Sequence, residues 1–239
     1  MIYEKNQPLT KLTLFVISIL TTCVANASIE LTLDDVKFDK NTGTILGYVS
    51  SYTDIIIPEQ FQHISVTSIG DSAFSFHHLK KVIIPNSVKI IHDSAFTQNE
   101  LTSVTIPDSV ITIGNSVFSY NQLTRVKVPD LVTTIGNRTF ANNKLTSVDI
   151  PNSVITIDDS AFFYNKLTHV IIPNSVTTIG NKAFFNNQLT NITIPNSLIN
   201  IGNNAFHANK LITVSIPNSM TTTAHNLFDE EVIITRASL

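Results

Sequence analysis

Side chains able to do chemistry are sparse in these 239 residues. Seven histidines are scattered along the chain, and only His77 and His78 are adjacent. The spacings HExxH and G-x-S-x-G and the glycine-rich phosphate loop are all absent. Asp158-Asp159 falls in a turn signal, where aspartate is locally favoured. Cys23 is the only cysteine and sits in an apolar N-terminal run, so no thiol nucleophile is expected in an exported chain. The chain therefore reads as a non-enzyme, with no metal site and no cofactor.

What remains is recognition chemistry. Tyr120, Phe163, Tyr164, Phe185 and His207 each follow a recurring phenylalanine by one or two residues. Aromatics gathered on one edge would suit a protein or glycan partner; the competing expectation is that some fold inward as extra core. A second group, Arg125 with Lys127 and His169 with Ile171, takes alternate outward positions in two short extended runs. Here the competing expectation is an ordinary solvated face.

Both groups are positioned by a repeat. Leu123–Lys144 and Leu145–Lys166 are one pattern written twice, 22 residues apart, and further units begin at Leu79, Leu101, Leu167, Leu189 and Leu211. A fixed period of this size marks a stacked-repeat architecture. Each unit opens on an alternating run such as LTSVTI, which reads as a half-buried strand. A proline ends it, because proline has no N–H for a ladder. A second apolar pair such as Val110 and Ile113 follows, predicting a short extended stretch on another wall of the coil. A glycine column (Gly70, Gly114, Gly136, Gly180, Gly202), broken by His92 and Asp158, predicts a turn at φ > 0. The Phe column from Phe74 to Phe228 is expected to fill the interior. The Asn column from Asn99 to Asn209 is expected to hydrogen-bond the backbone of neighbouring coils.

The unit Leu-x-x-Val-x-Ile-Pro-x-Ser-Val-x-x-Ile-Gly-x-x-Ala-Phe, with Asn three residues after Phe, resembles the BspA-type leucine-rich repeat over residues 52–232. That family has Cys or Asn where Asn121 stands. The resemblance implies a β-rich leucine-rich-repeat solenoid of right-handed, stacked 22-residue coils with parallel β-sheet. Residues 28–51 read as a β-hairpin cap, 52–232 as about eight coils, and 233–239 as a tail that adds an edge strand. The first coil is longer by five residues around Glu59–Ile64, where Phe61 and His63 are expected to plug a protruding loop. Asp229-Glu230-Glu231 is expected to blunt the terminal edge.

Residues 1–27 read as a secretory signal: Lys5 and Lys11, then the apolar Leu12–Ala25, then Ala25-Asn26-Ala27 before Ser28. The apolar run is short for a bilayer span, so no integral membrane span is expected after cleavage. Thr22 before Cys23 is bulkier than a lipidation site usually has. Residues 28–239 would carry 13 basic against 17 acidic side chains with no basic run, which argues against nucleic acid. Location is expected to be secreted or cell-surface. The resemblance implies an adhesive binding role toward a protein or glycan on another cell or matrix. The alternative is a self-associating envelope component.

Overall fold

The computed structural model describes residues 28–217 and 226–236. The signal-like segment, Cys23, Thr223-Ala224 and the last three residues of the tail lie outside the described residues. The described chain is a β-solenoid of about 22-residue coils with almost no helix.

Three walls enclose its core. The first is built from the run before each proline. Parallel strands there pair Ile29–Glu30 with Asp54–Ile56, Asp54–Ile56 with Lys81–Ile83, and Arg125–Lys127 with Ser147–Asp149. At the far end Thr213–Ile216 pairs with Ile233–Arg236. Their alternation is the sequence pattern made solid: Val82, Val126 and Val148 point inward, and Lys81, Arg125 and Lys127 stay exposed. The ladder is interrupted, however. The runs over 101–106 and 167–173 form no strand.

The second wall is more continuous than the first. Ser68–Ile69, Ile90–Ile91 and Thr112–Ile113 form one parallel series. Thr134–Ile135, Thr156–Ile157, Thr178–Ile179 and Asn200–Ile201 form another, each residue opposite its counterpart 22 positions on. Val36–Asp39 and Thr44–Tyr48 close its first edge as an antiparallel hairpin, with the inner strand parallel to Ser68–Ile69. The hairpin covers the edge of Ser68–Ile69 and leaves Val36–Asp39 as the outer strand of that sheet. At the other end of the molecule, Ile233–Arg236 supplies the edge strand expected of the tail, 20 rather than 22 residues beyond its partner. Asp229 does not blunt that edge: it turns inward and accepts the N–H groups of Ala208 (2.9 Å) and Asn209 (3.3 Å).

The third wall is made of turns. Each regular coil places two non-glycine residues at positive φ, for example Ser116 (56°) with Tyr120 (55°), and Ser160 (57°) with Tyr164 (53°). This corrects the glycine expectation. None of Gly70, Gly114, Gly136, Gly180 and Gly202 has positive φ, nor have His92 and Asp158; Gly43, in the hairpin turn, does (69°). Where the column is glycine, the preceding coil comes too close for a side chain. A Cβ on Gly114 would stand 2.8 Å from the Asp93 nitrogen, and one on Gly70 would stand 2.9 Å from the Ile45 oxygen.

The interior holds a file of phenylalanines. Phe74 to Phe228 are buried, and successive rings stack at 5.2–5.8 Å. Beside it the Asn column ties coils together as expected. Asn143 Oδ1 accepts the Leu123 N–H (3.0 Å), while its Nδ2 donates to the carbonyls of Phe118 (2.9 Å) and Phe140 (3.2 Å). A buried amide costs little when both its ends are satisfied. The first coil's extra residues form a two-strand hairpin, Gln60–Phe61 against Ile64–Ser65, turning through Gln62 and His63 at positive φ. Phe61 is the plug, buried edge-on to Phe38 at 5.0 Å; His63 is exposed at the turn and takes no part.

Candidate functional site

The first wall brings the outward group only partly together. Lys127, His169 and Ile171 line one groove of about 260 Å³ with Ser147 and Asp149. Arg125 lies in a neighbouring groove of about 450 Å³, with Lys127 on its other side. The 260 Å³ groove lies where Ser147–Asp149 faces a run that forms no strand. Lys127 is already engaged: its Nζ is 3.0 Å from Asp108 Oδ1 and 3.7 Å from Asp130 Oδ2. Its hydrogen bond to Asp108 holds the ammonium above the usual lysine range. Exposed pairs of this kind fix side-chain direction more than they stabilise. Ile171 stands 78% exposed and also lines a third groove, with Asn191 and Thr193, on its far side.

The third wall gathers the aromatics. On successive coils, Phe163, Phe185 and His207 occupy the position directly after the core phenylalanine. Phe163 stacks on Phe185 at 5.4 Å, and Phe185 stacks on His207 at 5.8 Å with planes 6° apart. Tyr164 leans on Phe163 at 4.6 Å. The local backbone forces this arrangement. The N–H groups of Phe163 and Phe185 bond back to the carbonyls of Ser160 and Lys182, three residues earlier. The left-handed residue at Tyr164 then swings the chain back toward the Asn column. Phe163, Phe185 and His207 are half-buried and Tyr164 is exposed, so the patch is partly surface and partly a second, outer file.

Two further side chains complete this file. Lys182 Nζ lies 5.8 Å from the Phe185 ring centroid. Asp229 Oδ1 lies 3.0 Å from His207 Nδ1, although not in hydrogen-bond alignment. Sequence reading missed both, yet Lys182 precedes Phe185 by three residues, the reach of that same turn. Tyr120 does not join the file. It is exposed two coils away, with Ala141 and Asn142 on the coil between. Phe76, 65% exposed in the same register as Tyr120 and Tyr164, was not singled out from sequence; its place two residues after Phe74 was the available signal.

The remaining titratable pairs serve the scaffold. His77 packs edge-on against Tyr48 at 4.9 Å, and burial holds its imidazole below the usual range. His78 is exposed and lies 3.0 Å from Glu100. Asp159 accepts the N–H of Asn181 in the next coil, while burial, then the Asp159 charge, pushes the Asp158 carboxyl up. The same lateral bond recurs from Asn115 to Asn137 and from Asn181 to Asn203, a second Asx ladder along the corner. No helix among the described residues is long and apolar enough to cross a membrane.

Comparison with known proteins gives a family and a fold. The family model described as BspA type Leucine rich repeat region matches residues 44–168 and 156–238, in six copies. A leucine-rich repeat protein from Bacteroides ovatus superposes with a TM-score of 0.51 at 22% identity, over 84% of this chain and 65% of that one. A leucine rich cell surface protein from Faecalibacterium prausnitzii gives 0.50 at 18%, over 90% and 97%. The pneumococcal vaccine antigen PcpA gives 0.50 at 22%, over 77% of this chain and 57% of its own. This chain thus spans less than two thirds of the Bacteroides and pneumococcal structures. A search of curated proteins returns no match.

Proposed function

The chain belongs to the BspA-type leucine-rich repeat family, and from that premise we propose that it is an exported, non-enzymatic binding protein acting at or beyond the cell surface. The observation that carries the reading is the outer aromatic file of Phe163, Tyr164, Phe185 and His207. A scaffold that already buries one phenylalanine per coil has no need of a second file left half in water. Exposed rings held in fixed geometry lose little entropy on contact, which is why aromatics concentrate at recognition surfaces. The description of the Faecalibacterium relative as a cell surface protein agrees with the signal-like N-terminus of this chain. The partner is a protein on another cell or in a matrix, with Arg125, Lys127, His169 and Ile171 as a secondary contact area.

The test is retention of the purified chain on intact cells and matrix-coated surfaces. Phe163→Ala combined with Phe185→Ala should leave the circular-dichroism spectrum unchanged and weaken saturable binding at least tenfold. Equal binding by the double variant would overturn the role of the file. Protease shaving of intact producing cells should release fragments of a chain that begins at Ser28. A chain that stays uncleaved inside the cell would overturn export.

A further inference from the structure

The aromatic file lies in a field of positive charge that the net charge of −3 conceals. Arg138, Lys144, Lys166, Lys182 and Lys210 are all exposed, in the turn and corner registers of the four coils from Leu123 to Lys210. In those coils the register of Arg138 and Lys182 and that of Lys144, Lys166 and Lys210 hold no carboxylate, although Asp159 stands one residue before the first of these registers. Lys144 and Lys210 reach only neutral partners, the Oε1 atoms of Gln122 (2.8 Å) and Gln188 (3.4 Å), so their charges stay uncompensated. Arg138, Lys166 and Lys182 make no ion pair among the described residues. Two carboxylates, Asp159 and Asp229, flank the patch, but both are turned to the backbone, while Glu230 and Glu231 are exposed on the terminal coil. Asp159 holds the Asn181 N–H, and Asp229 holds two N–H groups and faces His207.

Resting on the binding role assigned to this file, we infer that its partner is an acidic, aromatic-bearing protein segment in extended form. Charge selects the sign. Cations left unpaired around a half-buried apolar strip attract carboxylates and gain strength as contact excludes water. Ring geometry selects peptide over sugar. Phe185 is stacked between Phe163 and His207, and Phe163 also has Tyr164 against it, so the centre of the file offers a partner ring edges rather than open faces. Sugars stack on open ring faces, whereas ring edges carry the positive end of the quadrupole and meet carboxylates and other rings edge-on. Spacing agrees. Lys144, Lys166 and Lys210 share one register over three coil steps, about 14 Å at the usual inter-strand distance, or four to five residues of extended chain.

The probe is a random glutamate–tyrosine copolymer, titrated onto the full chain beside polyglutamate and heparin. The copolymer should bind saturably, at least tenfold tighter than either comparator, and lose at least tenfold between 0.05 and 0.5 M NaCl. Lys166→Glu with Lys182→Glu should cost at least another tenfold at low salt, with an unchanged circular-dichroism spectrum. The Lys166→Gln and Lys182→Gln pair should fall between, and Lys89→Glu, exposed just before Ile90–Ile91 on the second wall, should bind like the parent. Heparin binding as tightly as the copolymer would overturn the peptide assignment in favour of any polyanion. Copolymer binding unmoved by the charge reversals would overturn the site. If the copolymer fails to bind while the double phenylalanine variant still loses cell or matrix retention, the acidic partner is wrong and the binding role stands. If that variant retains full binding in both assays, both fail.

Discussion

The first and third walls are written by the same repeat, yet they close differently. On the first wall, extended runs pair between some coils and part at others, leaving grooves beside Ile171. On the third, coil after coil bonds to the next. The amides of Phe96, Phe118, Phe140 and Phe162 each donate to a carbonyl of the following coil at 2.8–2.9 Å, with the Asn amides behind them. The third wall achieves this with two left-handed residues per coil, a constraint on backbone rather than on side chain. Hence Ser116, Arg138, Ser160, Lys182 and Asn204 can all occupy one register. A backbone bonded at every step with free outward side chains is the better support for a binding site, since sites need positions fixed by their surroundings.

The sharpest way to break that comparison is to attack the file behind the third wall. Phe140 is fully buried between Phe118 (5.8 Å) and Phe162 (5.6 Å). Phe140→Ala should cost about 3–5 kcal/mol in denaturant unfolding, because a stacked file cannot collapse into the vacancy. A loss below about 1 kcal/mol would mean that the third wall does not depend on its interior. Next comes the amide seam. Asn143→Leu strips the Leu123 N–H and the Phe118 and Phe140 carbonyls of their partner. It should cost about 2–3 kcal/mol, as expected for buried polar groups left unpaired. Hydrogen exchange at Leu123 should accelerate with it, and an unchanged rate would show that another acceptor serves that amide.

How much of this was legible follows from repetition. The Phe and Asn columns recur on coil after coil, so period alone placed them inside, and the structure puts them there. The glycine column, broken at His92 and Asp158, signals a turn, but its cause is a neighbour on the preceding coil rather than its own φ. The true left-handed positions carry Ser, Arg, Lys, Tyr and Asn, types that give no common signal. The gaps in the first wall follow no sequence change that sets 101–106 apart from 145–150, since both alternate in the same way. Contacts made once are the least legible. The Ser50 hydroxyl donates to Asp35 and holds that carboxyl below its usual range, and Tyr48 donates to the Tyr52 carbonyl (2.9 Å). No period announces either. Of the candidate site, Phe163, Tyr164, Phe185 and His207 were found because they share or adjoin one register. Tyr120 shares the register of Tyr164, but Ala141 and Asn142 on the coil between carry no ring to connect them.

A smaller effect sharpens the account of the turns. Ser116 sits at φ 56°, and it is its backbone carbonyl, not its side chain, that accepts the Ser119 hydroxyl. Ser116→Gly relieves left-handed strain but frees the unfolded chain, so stability should rise by no more than about 1 kcal/mol. A loss greater than about 1 kcal/mol would show that the left-handed positions are not strained, and that the third wall gains nothing from glycine there.

The smallest effect belongs to the first wall. Ile171 is 78% exposed, lies outside any strand and borders two grooves. Ile171→Ser removes apolar surface that folding barely covers, so it should move stability by less than about 0.5 kcal/mol. Strand propensity adds little, because no ladder bond holds this residue to either neighbour. The measurement is the same denaturant midpoint used for Phe140→Ala, on the same scale. If Ile171→Ser instead costs more than about 1 kcal/mol, the side chain is covered in solution. The first wall would then be closed over its grooves, and the contrast with the third wall would disappear. If the two variants differ by the expected several kcal/mol, the repeat has separated its tasks. Interior columns hold the coils together, and outward columns are left to meet a partner.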